Sequence, residues 1–534
     1  MHYVIAYDVG TTGMKTCLFS IDKEVKLIDG AYGTYHLYIL ENGGAEQDAD
    51  EWWSVMCATT KELLEKTGVS PDQISALSFC SQMQGLVLVD ENGKALRRPM
   101  SYMDQRAEEI FDKHAGKGIR ISGLGIRKLL KSLIVTTAAP TSVKDPVWKY
   151  LWVKEEEPDI YAKIHSWLDV KEYLICRASG SFVMTRDSAF ATFLYDTRKG
   201  KEGWNASLCK LFGVDIGHLP RIIDCSERAG TLTKDAAEQL GLKEGTAVFG
   251  GGGDATLIGI GAGCTRIGET HIYSGTSGWV STLTDVQKVD IVSMIAAVVG
   301  ARDGLYNYFA EMETAGKCFE WVKEHLALDE IGIYLKKQTV AESEESLYLS
   351  LYDYLSDTVK ESSPGANGVI FTPWLHGNRC PFEDPDAAGM FFNLKIETGK
   401  RDMIRAVLEG ICFHLRWMME CSDHKVKVSD PIRFVGGGAL SPVTCQILSD
   451  ITGKRIETVE HAQDVGAIGA AMIAGVGMGD IPSLEEAGSY VRVAACFTPD
   501  PRNKAIYDRN YKVFRKLHGA NVKLFKILND QDMP

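Results

Sequence analysis

The sequence lacks paired cysteines, an excess of basic residues and long hydrophobic runs, and each absence excludes a class of protein. Its 13 cysteines include no C-x-x-C pair and no Cys/His cluster at metal-binding spacing, which argues against a disulfide-rich secreted domain or a zinc module. Lys and Arg number 58 against 71 Asp and Glu, giving a net charge of −13. Because a surface that binds a nucleic-acid backbone needs clustered Lys and Arg, nucleic acid is not an expected partner.

Hydrophobic segments long enough to cross a bilayer are also missing. The most apolar segment, at 291–299, is shorter than the ~20 residues that a spanning helix needs. The N-terminal residues enter an apolar strand directly and resemble no signal peptide. We therefore expect a cytoplasmic protein without a membrane partner. With 534 residues, 45% of them hydrophobic, the chain exceeds what one core usually supports, so two or more large domains are expected.

The stretch 249–281 combines three features that favour phosphoryl chemistry. A run of four glycines, Gly250 to Gly253, precedes Asp254, and a strand then leads into a small-residue turn. The turn residues are Gly275, Thr276 and Ser277. Glycines let a backbone approach a ligand closely, and the turn offers N–H groups and hydroxyls to an anion. The stretch predicts phosphoryl transfer with Asp254 as general base; the alternative is a helix cap followed by an ordinary hairpin.

A similar turn lies near the N-terminus, between two apolar runs that predict a β-hairpin. Its residues are Gly10, Thr11 and Thr12. Asp8 precedes the turn and can hold a hydrated magnesium ion, and Lys15 follows it and supplies positive charge. Since this turn and the turn at 275–277 are about half the chain apart, we predict that they hold the phosphates of one nucleotide between two domains.

A third glycine turn follows a predicted strand at 431–435 and precedes a helix that begins near Pro442. The residues predicted to line the nucleotide are Gly437, Gly438 and Ala439. Bare backbone leaves room for a flat purine and a ribose, and the helix N-terminus can face the phosphates. Gln446 and Asp450 lie on one face of the helix and can reach the ribose or base.

These motifs, in this order, resemble the FGGY family of carbohydrate kinases, part of the actin, Hsp70 and hexokinase superfamily. They are Asp-x-Gly-Thr-Thr-x-x-Lys at 8–15, Gly-Gly-x-Asp-Ala at 251–255, Gly-Thr-Ser-Gly at 275–278 and Gly-Gly-Gly-Ala-x-Ser at 436–441. The resemblance extends from residue 3 to about 475. It implies an α/β fold of two actin-like (ribonuclease H-like) domains with a nucleotide and sugar cleft between them.

The resemblance also implies ATP and Mg²⁺ as cofactors, a hinge between the domains and a homodimer. We place the domain junction near Gly245. Residues 1–245 then form an N-terminal domain that mainly binds sugar, and residues 246–534 form a C-terminal domain that mainly binds ATP. In this scheme Asp254 takes the proton of the attacking sugar hydroxyl.

The substrate assignment depends on the strand end at 83–85. In similar kinases this position contacts sugar hydroxyls, so the resemblance assigns Met83, Gln84 and Asp104, with Asp254, to the sugar. Gln84 stands where xylulokinases carry His, and Tyr102 replaces a usual Trp; an amide can also hydrogen-bond vicinal hydroxyls. Among the possible substrates, D-xylulose, phosphorylated to D-xylulose 5-phosphate, is the first candidate. Another ketose, a polyol such as glycerol or erythritol, and an aldonate such as gluconate stay open.

A different class of function also stays open, namely a catalytically silent sugar sensor or an ATPase that acts on protein partners. The intact Asp254 argues against a silent sensor, and the polyol-like site at Gln84 and Asp104 argues against a protein substrate. Asp187 is a further candidate for the cleft. Arg379 is interpreted as a surface charge, with a phosphate contact as the alternative. The polar stretch 333–359 is assigned no role.

Overall fold

The computed structural model of the chain describes residues 2–326 and 358–529. Within these ranges, two mixed β-sheets covered by helices form the two halves of an α/β fold. The expected fold class is thereby confirmed. Most of the polar stretch at 333–359 lies outside the described residues.

The first sheet contains the N-terminal turn at one end of its central strands. From edge to edge its strands are Arg228–Thr231, Ala247–Phe249, Ile74–Ser81, His2–Val9, Gly13–Ile21 and Val25–Thr34, and Gly252–Gly253 pairs farther along Ile74–Ser81. His2–Val9 is antiparallel to Gly13–Ile21, as the predicted hairpin requires, and parallel to Ile74–Ser81. Because parallel strands end at the same edge of a sheet, the loops that follow Asp8 and Ser81 lie side by side, where α/β folds commonly bind ligands.

The second sheet repeats this arrangement. From edge to edge its strands are Val289–Asp290, Ile295–Val299, Tyr306–Met312, Gly278–Thr284, Thr270–Ser274, Ile432–Val435, Ile456–Val459 and Val493–Phe497. Thr270–Ser274 is antiparallel to Gly278–Thr284 and parallel to Ile432–Val435. The turns at 10–12 and 275–277 therefore occupy equivalent positions in the two sheets, and the turn after Val435 lies beside the second of them.

Helices and short ladders complete the described parts of the chain. The α-helices are Ala49–Thr67, Glu108–His114, Ile126–Thr136, Pro146–Glu156, Pro158–Tyr161, Val170–Ser179, Arg186–Ala191, Ala206–Phe212, Lys234–Leu240, Asp254–Gly261, Gly316–His325, Lys400–Asp423, Pro442–Thr452, Val465–Met478, Leu484–Ala487 and Lys504–Asn529. Two-stranded ladders join Leu37–Ile39 with Ala45–Gln47, Val87–Val89 with Ser166–Leu168, Arg120–Ile121 with Leu124–Gly125, Val183–Thr185 with Arg221–Ile223, Tyr195–Asp196 with Gly203–Trp204, and Ile370–Phe371 with Phe391–Phe392. In the ranges 2–326 and 358–529, no helix combines the length and apolar character needed to cross a bilayer.

Two small-residue helices connect the halves. A Cβ added to Gly261 would lie 1.9 Å from the carbonyl oxygen of Val465, and one added to Gly469 would lie 2.3 Å from that of Leu257. Only glycine at these positions lets helices Asp254–Gly261 and Val465–Met478 approach so closely. The buried alanines of the second helix share a core with the first sheet. A segment late in the chain thus packs against the N-terminal half.

The first sheet continues past the domain junction predicted near Gly245. Strand Ala247–Phe249 and the pair Gly252–Gly253 both hydrogen-bond to Ile74–Ser81. The first strand of the second sheet begins at Thr270. The chain therefore changes sheets between residues 253 and 270, downstream of the predicted junction.

Candidate active site

The four-glycine run passes through a space too narrow for side chains. Gly251 has a φ of +63°, and an added Cβ there would lie 2.0 Å from the carbonyl oxygen of Phe79. A Cβ on Gly253 would lie 2.1 Å from the sulfur of Met83. The loop therefore presses against both the end of strand Ile74–Ser81 and the Met83 side chain, and its close approach to a ligand stays a prediction.

Asp254 follows this loop as the first residue of helix Asp254–Gly261. The half-buried carboxylate accepts a hydrogen bond from the N–H of Ala255 at 2.7 Å. Burial raises the pKa of Asp254 to about 7, against the effect of that hydrogen bond, and the carboxylates of Asp8, Glu311 and Asp169 raise it further. A carboxylate with a pKa near neutrality is well suited to take a proton from a hydroxyl.

Gln84 lies beside this loop, and buried charges hold its backbone on both sides. Its φ of +64° is left-handed, an uncommon conformation that often marks functional sites. The N–H groups of Gln84 and Gly85 each donate to the Asp169 carboxylate at 2.9 Å. The Lys149 ammonium donates to the Gln84 carbonyl at 2.9 Å and to the Ser101 carbonyl at 2.7 Å. The backbone on either side of the Gln84 side chain is thus fixed.

Burial perturbs both of these charged groups. It raises the pKa of Asp169 to about 7, with Glu172 adding to the effect. It lowers the pKa of Lys149 to about 8, although Asp104 and Asp169 oppose the shift. Neither Lys149 nor Asp169 is among the site residues that the sequence predicted. The one local feature of the sequence that points to Asp169 is its position as the N-cap of helix Val170–Ser179.

Asp104, predicted to bind sugar, is fully buried in an ion pair. Its Oδ2 accepts from Nη2 of Arg106 at 2.7 Å and from the N–H of Ala45 at 2.8 Å. A direct contact of Asp104 with sugar stays a prediction. The neighbouring Tyr102 is 39% exposed, and its hydroxyl lies 3.4 Å from Oγ1 of Thr11. Tyr102 therefore joins the predicted sugar segment to the first phosphate turn.

Two glutamines that the sequence analysis did not single out hold the first turn. The side-chain amide of Gln82 donates to the Gly10 carbonyl at 3.0 Å. That of Gln47 donates to the Thr11 carbonyl at 2.6 Å, and the two side chains are 3.1 Å apart. Thr12 stays exposed. The turn is thereby tied to the strand end that leads to Met83.

Asp8 and Lys15 flank this turn on neighbouring strands. The Lys15 ammonium donates to Oδ1 of Asp464 at 2.8 Å and to the Gln463 carbonyl at 3.1 Å. Burial raises the pKa of Asp8, and the nearby Lys15 charge opposes the shift. A carboxylate that burial leaves short of compensating charge is a fitting ligand for a cation, and magnesium commonly uses one or two carboxylates together with phosphate and water. Asp8 therefore fits the predicted role.

The second and third turns lie against each other. The Gly275 and Thr276 carbonyls accept from the N–H groups of Gly316 at 2.7 Å and Ala315 at 3.1 Å, which fixes the second turn to the start of helix Gly316–His325. Gly436 has a φ of +87°, and an added Cβ would lie 2.6 Å from the Ser274 carbonyl oxygen. Gly437, Gly438 and Ala439 form the following short 3₁₀ turn. The structure thus brings together the turns at 275–277 and 437–439, two of the three turns predicted to bind the nucleotide.

Gln446 has two protein acceptors in the structure. Its amide donates to Oδ1 of Asp450 and to the carbonyl oxygen of Thr498, each at 2.8 Å. Asp450 also accepts from the N–H of Asp500 at 2.8 Å. These contacts fix the loop that precedes the last helix, and nucleotide binding by Gln446 stays a prediction.

Glu311 brings the second sheet to the base. It pairs with Trp279 across the ladder that begins at the second turn, and it is close enough to Asp254 to raise the pKa of that carboxyl. Arg379 donates to Glu311 at 2.8 Å. Arg379 is exposed, as the surface-charge interpretation expects, and is bound to this carboxylate. A phosphate contact by Arg379 would have to break this pair.

Comparisons with known proteins agree with this arrangement. Residues 3–261 match the N-terminal domain, and residues 271–478 the C-terminal domain, of the FGGY family of carbohydrate kinases. The chain is 28% identical to the xylulose kinase of Bacillus subtilis over 522 residues, 97% of each chain. It is 26% identical to the gluconokinase of the same species over 534 residues, 99% of this chain and 96% of that one.

A solved structure shows the same fold. The ligand-bound xylulose kinase of Lactobacillus acidophilus superimposes with a TM-score of 0.83 and 24% sequence identity, covering 99% of this chain and 100% of that one. The two matched family domains together span most of the chain. The protein therefore belongs to the FGGY family of carbohydrate kinases, enzymes that transfer phosphate from ATP to a sugar or related substrate.

Proposed function

We propose that the protein phosphorylates a neutral ketose, with D-xylulose as the first candidate, and that Asp254 is the general base. The observation that carries the proposal is the position of Asp254, beside the glycine loop that contacts Met83 and near Asp8 at the first turn. A sugar hydroxyl held there is close to both a base and the first of the predicted phosphate turns. The names of the similar xylulose kinases support the same substrate.

The charges around the base favour a neutral substrate over an aldonate. Three carboxylates, those of Asp8, Glu311 and Asp169, raise the pKa of Asp254 after the larger effect of burial. Burial raises the pKa of Glu311, and the positive charges of Arg379 and Lys144 oppose the shift without reversing it. Because the carboxylate of gluconate would add one more negative charge to this group, it would be repelled. A ketose or a polyol would not.

In the proposed reaction, Asp254 takes the proton as the sugar oxygen attacks the γ-phosphorus of ATP, and the bond from that phosphorus to the β,γ-bridging oxygen breaks so that ADP leaves. The Gln84 side chain and Met83 orient the sugar, while the turns at 10–12 and 275–277 receive the phosphates. A bound magnesium ion, held by Asp8, would neutralise phosphate charge. Phosphoryl transfer depends mostly on positioning and charge stabilisation, and the base contributes ~10²–10⁴-fold.

A coupled assay of ADP release with magnesium-ATP tests the substrate. D-xylulose, L-xylulose, glycerol, erythritol and gluconate would be compared by kcat/KM. We expect the highest value for D-xylulose and the lowest for gluconate. A preference for gluconate would overturn the argument from charge, and a preference for glycerol would move the proposal from ketoses to polyols.

The sensor alternative predicts a different result in the same assay. A sensor would bind a sugar without releasing ADP. Calorimetric titration with the same compounds therefore separates the two, because saturable binding without turnover in the native protein contradicts the catalytic proposal. A homodimer, a cytoplasmic location and Mg²⁺ as the metal stay predictions.

A further inference from the structure

We propose that Asp187 is a positioning residue that holds the glycine loop, and with it Asp254, in the geometry needed for phosphoryl transfer. Its Oδ2 accepts a hydrogen bond from the N–H of Gly253 at 2.7 Å. Gly253 is the residue directly before Asp254. A side chain 66 positions earlier in the chain thus fixes the backbone from which the Asp254 side chain projects. The inference rests on the proposed role of Asp254.

The Asp187 carboxylate is fully engaged in this role. It is 1% exposed, and its Oδ1 accepts from the hydroxyl of Thr185 at 2.5 Å and from the N–H of Ser188 at 3.0 Å. A buried carboxylate is costly unless it is paired and hydrogen-bonded. The contacts leave Asp187 no freedom to reach a substrate, which is why it positions the base and does not touch the sugar.

A buried lysine holds the hydroxyl that donates to Asp187. The Lys171 ammonium donates to Oγ of Ser188 at 2.5 Å and to Oγ1 of Thr185 at 2.7 Å. Lys171 also pairs with Glu172, and both side chains are fully buried. The Thr185 hydroxyl therefore accepts from Lys171 and donates to Asp187, and these two hydrogen bonds fix the orientation of the hydroxyl.

The Asp187 contact adds a side-chain restraint to a glycine loop whose last two residues also pair with strand Ile74–Ser81. The N–H groups of Gly250 and Gly251 donate to the carbonyls of Glu227 at 3.1 Å and Cys225 at 3.0 Å. At Gly252 an added Cβ would lie 3.1 Å from Oδ2 of Asp187. The carboxylate thus contacts the last two residues of the loop, next to the base. A 1 Å displacement of a catalytic group can cost ~10²-fold in rate.

Asp187→Asn tests the inference. An amide has one acceptor oxygen, so either Gly253 or Ser188 loses its partner while the volume is unchanged. With magnesium-ATP and the preferred sugar, we expect kcat to fall ~10–10²-fold, with KM for both substrates changed by less than about threefold. Asp254 would remain the base, so the pH at which activity is half-maximal should stay near 7.

Asp402→Asn is the matched control. Asp402 is also a buried carboxylate that accepts from a hydroxyl, Ser362 at 2.6 Å, and from a glycine N–H, Gly399 at 3.2 Å. Because it lies outside the cleft residues, Asp402→Asn should lower the thermal unfolding temperature but leave kcat unchanged. If Asp187→Asn does not fold, Thr185→Val removes one donor to Asp187, and Thr185→Ser should restore kcat.

Three results would overturn the inference. The first is that Asp187→Asn folds and has the native kcat. The second is that Thr185→Val has the native kcat. Asp187→Asn could also lose activity only in proportion to stability, as a purely structural residue would. Comparison with Asp254→Asn separates this inference from the proposed function: if Asp254→Asn is inactive while Asp187→Asn is fully active, only the positioning role fails. If Asp254→Asn keeps turnover, both fail.

Discussion

The Lys15 ammonium and the Asp464 carboxylate form an ion pair 2.8 Å apart that links the first sheet to helix Val465–Met478. Burial works against the Lys15 charge, but Asp464 raises the pKa of Lys15 above its ordinary value. If the Lys15 ammonium contacts a phosphate of ATP, it must either bind the phosphate and Asp464 together or break its ion pair with Asp464. The pair therefore allows two roles of Lys15 to be separated.

We predict that Lys15→Met raises KM for ATP several-fold more than Asp464→Asn does. The first change removes the cation, whereas the second only removes its protein partner and leaves the ammonium available for phosphate. Initial rates at varied ATP and saturating sugar give both values. Equal effects of the two changes would indicate that Lys15 only ties the sheet to the helix.

A Lys149→Met variant is predicted to raise KM for the sugar without changing KM for ATP. The substitution removes the donor to the Gln84 and Ser101 carbonyls, so the Gln84 backbone loses its support. Lys154→Met, on the same helix, removes a donor to the Gly213 carbonyl and is the matched control. If both variants raise the sugar KM equally, the effect belongs to the helix and not to the Gln84 contact.

Gly253→Ala should weaken sugar binding through Met83. The new Cβ would lie 2.1 Å from the Met83 sulfur, so the thioether must move away from the predicted sugar position. Titration calorimetry with the preferred sugar should show a loss of affinity, whereas Gly519→Ala, at a helix position with open space, should show none. Native affinity in Gly253→Ala would place the sugar away from Met83.

Asp254→Asn is predicted to stabilise the fold at alkaline pH while it lowers activity ~10²–10⁴-fold. The folded chain holds the Asp254 proton up to a pKa of about 7, and the unfolded chain releases it near 3.9. Ionisation therefore costs stability progressively as pH rises from about 4 to 7, and the cost is complete above 7. The gain in unfolding temperature over the native protein should be largest at pH 8, smaller at pH 5 and absent below about pH 4.

The opposite trend would contradict this account of Asp254. If Asp254→Asn were less stable than the native protein at pH 8, the carboxylate would be favourably bound in the fold. Such a carboxylate would have a lowered pKa and would be a poor acceptor for a hydroxyl proton. Asp235→Asn, in the first turn of helix Lys234–Leu240, controls for the loss of a charge near a helix start.

The sequence was informative where chemistry depends on neighbouring residues. Close approach to a ligand and anion binding need particular residues within a short segment. The glycine before Asp254 and the Gly/Thr and Gly/Ser turns could therefore be recognised from the sequence alone. The hairpin around Gly10 and the helix after Ser441 were predicted for the same reason, and the structure confirms both. Four such motifs in order were enough to indicate the family.

Contacts between distant segments could not be predicted in this way. Asp187 and Gly253, or Asp169 and Gln84, are far apart in the chain, and only the packed fold brings them together. The Lys149 ammonium likewise reaches carbonyls of two other segments, which no pattern in its own helix specifies. The packing of Val465–Met478 against the first sheet likewise follows from glycine contacts that a linear pattern does not specify.

The central claim is that Asp254 takes the sugar proton during phosphoryl transfer. The most direct measurement is the single-turnover rate with magnesium-ATP and the preferred sugar, for the native protein and Asp254→Asn, between pH 5 and 9. The account predicts a native rate that falls tenfold per pH unit below about 7, and a variant that is slower by ~10²–10⁴-fold and insensitive to pH in this range. A variant with the native rate and the native pH dependence would contradict it.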